Sequence, residues 1–315
     1  MKFTHFYYCP FTGLGLRNGY RGDRWLINRL KIFKEYVLPS LLKQKDIILW
    51  ISWRPEEKDN VIVQEFWKDL NGLIPMVFTF GGLCFYDDKF DDKEARERLL
   101  QHLKYTLPKL EVKTDYVLMT IQPSDDLYFE DNAEIIQQKF RELLEKDKST
   151  KKVVGWRKGY IMNYNNKEIA EYMSQGWQKD EVSAYHTDTI PPFFTILFSK
   201  DEFLTPIKHF NHIGPYKSHE YIADFLEYTP LDGRGFIVGT HGENISTTYN
   251  HRYKGRIFNQ LEAEELMKRA GILEAMPLKF KITWRLKLRK IFNLFPFRGI
   301  ISNIYHQLPA KFKIL

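Results

Sequence analysis

Apolar residues along the first half of the chain come in short, nearly unbroken runs separated by longer stretches of helical spacing. The runs Lys2–Tyr8, Ile47–Trp53, Met76–Phe80 and Tyr116–Ile121 predict strands. Between them, Trp25, Leu26, Leu30, Phe33, Val37 and Leu41 recur near every third or fourth position and predict one helix from Asp23 to Leu42. Ala95, Leu99, Leu100 and Leu103 predict a second over Asp92–Leu107. Ile135, Ile136, Phe140, Leu143 and Leu144 predict a third over Asn132–Asp147, with Asp131 and Asn132 offering N-caps. Strands alternating with helices in this way describe an α/β sheet with helices packed on it.

The second half is less regular. Val153–Asn163 reads as a hairpin strand leading into a turn at Asn163–Lys167, and Phe193–Phe198 and Phe236–Gly239 as further strands. Helices are expected at Ser218–Leu226 and Glu262–Ala270. The expected organisation is one domain over residues 1–274, with a ligand-binding half (1–150) and a mixed half beside the sheet (151–274). A C-terminal extension, 275–315, follows.

Charge changes the picture at that extension. The chain of 315 residues carries a net +7, and nine basic residues lie between Lys279 and Leu315 with no acid after Glu274. Subtracting those nine leaves the first 278 residues at −2, so the basicity belongs to the tail. Trp284 to Phe295 interleaves basic and large apolar side chains, the pattern of an amphipathic helix lying on an anionic membrane, and peripheral contact is expected through 279–298. No run of about 18 apolar residues suggests a spanning helix, and the N-terminus has no secretory-signal pattern. Only Cys9 and Cys84 are present, so no disulfide framework is expected and a cytoplasmic location fits.

Candidate chemistry gathers where apolar strands end. Tyr116–Ile121 runs into Gln122-Pro123-Ser124-Asp125-Asp126, and ligands of open α/β sheets bind beyond the carboxyl ends of strands. Two carboxylates there suit a hard divalent cation, or equally a solvated turn that caps the next helix. Phe236–Gly239 runs into Thr240-His241-Gly242-Glu243-Asn244, in which His241 offers a metal or phosphate ligand, Glu243 a base and Asn244 a sugar-hydroxyl contact. His209 and His212 lack a third ligand at zinc spacing, which leaves them as ordinary surface histidines or His212 as a phosphate or acceptor contact. Gly13-Leu14-Gly15 lacks the third glycine of a dinucleotide fingerprint, and no hydrolase or kinase motif is present.

These blocks together resemble the rhamnosyltransferase family and, more broadly, glycosyltransferases of the GT-A fold. The first block is Trp25-Leu26, Arg29 and Phe33, continuing through Tyr36, Leu38-Pro39-Ser40-Leu41 and Gln44 to Trp50-Ile51. The second is Thr120–Asp126 and the third His241-Gly242-Glu243-Asn244. The resemblance implies a GT-A-like (Rossmann-like) mixed sheet flanked by helices. It also implies metal-assisted transfer of a sugar from a nucleotide-diphosphate donor to a hydroxyl of a glycan or lipid-linked saccharide. Mn2+ or Mg2+ is then assigned to Asp126, with Asp125 beside it and His241 as third ligand. Pro10, Arg29, Asp125, His212 and Asn244 form the donor-binding set, and Glu243 or Glu220 is the base. Pro123 replaces the family's first acid, and Trp53-Arg54-Pro55 separates the second strand from Glu56 and Glu57. The alternatives are an inactive relative of this fold, or a binding protein that uses its basic tail on nucleic acid or anionic polysaccharide. No nucleic-acid motif appears in the body.

Overall fold

The computed structural model describes residues 1–12, 22–81, 93–173, 193–213, 219–241 and 254–272. Gly13 to Gly15, Glu243, Asn244 and the basic tail lie outside them. The strands are β1 (Thr4–Pro10), β2 (Ile48–Trp53), β3 (Met76–Phe80), β4 (Tyr116–Ile121), β5 (Leu127–Tyr128), β6 (Lys152–Trp156), β7 (Lys158–Asn163), β8 (Glu168–Met173), β9 (Phe194–Ser199), β10 (Glu227–Leu231), β11 (Phe236–Thr240) and β12 (Lys254–Ile257). The helices are α1 (Asp23–Ile32), α2 (Leu38–Leu42), α3 (Val61–Leu70), α4 (Lys93–Thr106), α5 (Asn132–Lys146), α6 (Lys200–Leu204), α7 (Pro206–Ile213) and α8 (Gln260–Arg269). Among the described residues no helix is long and apolar enough to cross a membrane.

A seven-stranded sheet in the order β10-β6-β9-β4-β1-β2-β3 forms the centre, and a five-stranded sheet, β12-β8-β7-β11-β5, is built from the second half of the chain together with β5. Strands β4, β1, β2 and β3 run parallel, while β9 is antiparallel to both β4 and β6. The expected mixed sheet flanked by helices is therefore present. The second half does more than sit beside that sheet, because β6, β9 and β10 complete it.

The strands read as unbroken apolar runs because both faces of the sheet are covered. Successive side chains of β1 alternate: Tyr7 and Cys9 join one core with Leu26, Phe33 and Phe140, and Phe6 and Tyr8 join another with Leu103, Phe203 and Phe210. Trp50 and Trp53 of β2 divide in the same way and are fully buried. Burying one such ring contributes ~1.5–3 kcal/mol.

The structure departs from the sequence reading at several elements, including the expected helix Ser218–Leu226, which is a 3-10 turn at His219–Asp224. The expected helix Asp23–Leu42 is three segments, with a π turn at Phe33–Val37 between α1 and α2. Pro39 has no N–H to donate to the Glu35 carbonyl, and the coil widens just before it, with the Leu38 N–H reaching Phe33 O. Val153–Asn163 splits at Arg157: β6 is buried throughout and enters the large sheet, while the half-exposed β7 enters the small one. Helix α3 was not expected, although Val63, Phe66 and Leu70 form its buried stripe and Asn60 caps it by accepting the Ile62 N–H at 2.9 Å. Neither Asp131 nor Asn132 caps α5 through its side chain; Asn132 Nδ2 donates instead to Gly235 O.

Buried polar groups tie the strands and helices together. His5 Nε2 lies 2.7 Å from Thr120 Oγ1, which lies 2.6 Å from Thr195 Oγ1, and Gln137 of α5 closes the row on His5 Nδ1 at 3.3 Å. Burial pushes His5 down to about 3, and His209 down to about 4. Both fold neutral, whereas in the unfolded chain they take up protons near 6.5. The unfolded state thus binds more protons below that pH, and stability falls on acidification. Urea unfolding should show ΔG dropping between pH 6.5 and 5 by up to about 1.4 kcal/mol per pH unit for each buried histidine. A His5→Gln variant should show a shallower slope over the same window.

Candidate active site

The parallel strands place a natural crevice. From β1 the chain moves outward to β2 and β3 on one side, and β4 lies on the other, so the order reverses between β1 and β4. Open α/β sheets bind ligands at such a switch point, outside the carboxyl ends of the strands. Pro10, opposite Ser52 in register, ends β1 at this edge, and Gln122 to Asp126 follow β4 at the same edge.

Here the acid pair meets the histidine predicted with it. Asp125 is ion-paired to Arg29, which is 4% exposed on the apolar face of α1 beside Trp25, Leu26 and Leu30. His241 Nε2 lies 3.2 Å from Asp125 Oδ2. Asp126 Oδ1 accepts the backbone N–H of Gly239 at 2.8 Å. The two strand ends singled out in the sequence, more than a hundred residues apart, therefore form one cluster with the helix that carries Arg29.

Their environments separate the two carboxyls. Burial alone would raise Asp125, but the Arg29 guanidinium and the His241 ring more than offset it and hold the group well below the usual carboxylate range. Asp126 is pushed far above that range, by burial first and then by the negative charge of Asp125. Arg29 supplies the counter-charge to the Asp125 carboxylate.

Several supports were not anticipated from sequence. Tyr164 donates from its hydroxyl to Asp125 O at 2.8 Å, and its ring stacks on Tyr36 of the π turn with centroids 3.9 Å apart. Gln122 Nε2 donates to Asp126 O at 2.8 Å, and Tyr128 donates to Ile121 O at 2.7 Å. Gly239 admits this packing: a Cβ there would lie 2.0 Å from Asp125 O and 2.4 Å from the Tyr164 hydroxyl oxygen. An acid also stands past β2 after all. A single turn, Pro55–Glu57, folds Glu57 back so that it takes the Arg54 N–H at 3.3 Å and a hydrogen bond from Thr12 Oγ1, just beyond β1. Burial raises the Glu57 carboxyl, and its Oε1 has no hydrogen-bond partner among the described residues.

Other expected site residues fall elsewhere. His212 is not a phosphate or acceptor contact: it is 2% exposed, with Nε2 2.7 Å from Leu197 O and Nδ1 3.4 Å from Glu202. It pins α7 to β9, and burial lowers its pKa. Glu220 lies on the short 3-10 turn His219–Asp224, and Glu243 and Asn244 lie outside the described residues.

Asp125, Asp126 and His241 do meet, but not as an open ligand set for the expected Mn2+ or Mg2+. Among the described residues no three histidine, cysteine or acid side chains converge as metal ligands. Asp125 already holds a guanidinium, and Asp126 is directed at a backbone N–H. Among the described residues, Asp125, Asp126 and His241 as they are held do not fit the metal, and no chemical step is assigned to one.

The chain shows similarity to the crystal structure of S. aureus TarS 1-349, with a TM-score of 0.40 and 12% identity over 98% of this chain and 76% of that chain. Mouse xyloside xylosyltransferase 1 in its apo form matches with a TM-score of 0.33 and 11% identity over 74% of this chain and 86% of that one. No family model and no curated protein matches the chain. Likenesses this loose carry no argument about activity. The strand order and flanking helices themselves are consistent with a GT-A-like fold.

Two substitutions separate the roles of the acids. Asp125→Asn leaves Arg29 buried without its counter-charge and should cost about 3–5 kcal/mol in urea unfolding. Asp126→Asn replaces a neutral carboxyl by a neutral amide of the same shape and should cost less than about 1.5 kcal/mol. Gly239→Ala, measured the same way, should cost about 1–3 kcal/mol by forcing the Asp125 loop away from β11.

Proposed function

We propose that the chain is a glycosyltransferase that moves a sugar from a nucleotide-diphosphate donor to an acceptor hydroxyl of a glycan or lipid-linked saccharide. The observation that carries the reading is the location of the Arg29–Asp125–His241 cluster, at the carboxyl end of β4 beside the β1/β4 switch point. In that reaction the acceptor oxygen attacks the anomeric carbon, the bond to the diphosphate breaks, and the hydroxyl proton passes to a base. Charge builds on the departing diphosphate as its bond breaks, so preorganised positive groups and N–H donors near it lower the barrier.

In this reading Arg29 supplies the positive side of the site, and Asp125 orients both it and His241. Thr12 and Glu57, past β1 and β2, border the nucleoside side, with Pro10. Glu243 or Glu220 takes the acceptor proton, and Asn244 contacts the sugar. The basic segment 279–298 suits contact with an anionic membrane surface, where a lipid-linked acceptor would lie.

The test is a thermal-shift screen of uridine, guanosine, thymidine and cytidine diphosphates against the folded chain. A ligand that binds only the native state raises Tm by mass action. One diphosphate should raise Tm well above the other three. Flat responses to all four from well-folded protein, both with and without MnCl2, would remove the transferase reading.

A further inference from the structure

The resemblance assigns a divalent cation to Asp125 and Asp126, yet a cation is already there: the guanidinium of Arg29. We infer that the positive charge of this site is built into the fold, with Arg29 standing in for the metal ion, and that nucleotide binding by this chain needs no divalent cation. The inference rests on the transferase reading.

Three observations carry it. Arg29 and His241 Nε2, the latter at 3.2 Å, both engage Asp125 Oδ2, so a metal on that oxygen would have to displace one of them. Arginine cannot shed its proton in a protein. Displaced, it would be left as an unpaired charge in a position only 4% exposed, which is strongly unfavourable. If it stayed, a divalent ion would sit beside a like charge where little solvent screens the repulsion.

The second carboxyl offers no alternative. Asp126 is 8% exposed, and its Oδ1 accepts the Gly239 N–H at 2.8 Å, within the contact that joins the acid loop to β11. Turning it toward an ion would strip a buried backbone N–H of its acceptor.

Arg29 also has the chemistry to face a diphosphate. Its side chain carries five N–H donors, and Nε is buried with no acceptor among the described residues. A buried donor without a partner calls for one, and a phosphate oxygen is an acceptor that arginine binds well.

The experiment compares melting of the wild-type chain in EDTA and in MnCl2, each with and without the diphosphate that shifts Tm in the four-nucleotide screen. MnCl2 alone should leave Tm unchanged, and the nucleotide should raise it equally in both buffers. Arg29→Met should melt lower and regain part of the loss in MnCl2, because removing the guanidinium uncovers Asp125 to the ion. A nucleotide shift seen only with MnCl2 would overturn this inference and leave the transferase reading standing. So would a wild-type shift with MnCl2 alone that disappears in Asp125→Asn. Equal shifts in the two buffers support both statements, and no shift in either removes both. Should Arg29→Met fail to fold, the wild-type comparison decides alone.

Discussion

Burying a guanidinium is among the most expensive things a small fold can do, and this one does it on the apolar face of its first helix. Arg29 sits in line with Trp25, Leu26 and Leu30, so α1 cannot bury that stripe unless an acid meets it. Asp125 is that acid, and it is delivered by the loop after β4. The pairing therefore sets where α1 lies against the sheet and where the loop must turn. His241, Tyr164 and Gly239 close around the same loop from the second sheet, so one ion pair joins three parts of the chain. An Arg–Asp pair this buried contributes little net stability compared with apolar residues of the same volume. Its effect is on geometry, since every other packing leaves a charge stranded.

The sheet behind it makes that geometry rigid. Both faces of β1, β2 and β4 are covered, by α1–α3 and α5 on one side and α4, α6 and α7 on the other. The loops at the carboxyl edge thus hang from strands with little freedom to shift. His5, Thr120, Thr195 and Gln137 reinforce them by a buried row of polar contacts across β1, β4, β9 and α5. In α/β proteins the strands hold still while the loops vary, which is why chemistry gathers at that edge.

How much of this the chain discloses in advance depends on the range of the signal. Strands β1–β4, β9 and β11 and helices α1, α4, α5 and α8 were legible because burial writes itself as continuous apolar runs and 3.6-residue stripes. Val153–Asn163 was misread as one strand because apolar spacing does not say which sheet a segment joins. Each half of the site was legible as an apolar strand running into polar groups. Their meeting was not, since Asp125 and His241 are 116 residues apart and local pattern carries no pairing information. Tyr36 and Tyr164 were invisible for another reason: a tyrosine on a helix or after a strand reads as core, and both are core, with hydroxyls that also serve the site. His212 went the opposite way, a polar residue in a polar-looking run that turns out to hold α7 to β9.

The largest gap between sequence and structure concerns charge. Two adjacent aspartates read as two negative charges, and two negative charges invite a metal. In the fold, burial and the charge of Asp125 push the Asp126 carboxyl far above the usual range, and its Oδ1 accepts the Gly239 N–H. The Asp125 carboxylate is paired with Arg29. A metal arriving here would meet a guanidinium already in place. What decides whether an acid pair binds an ion is therefore the charge balance of the folded site, which depends on a helix nearly a hundred residues upstream of the acids.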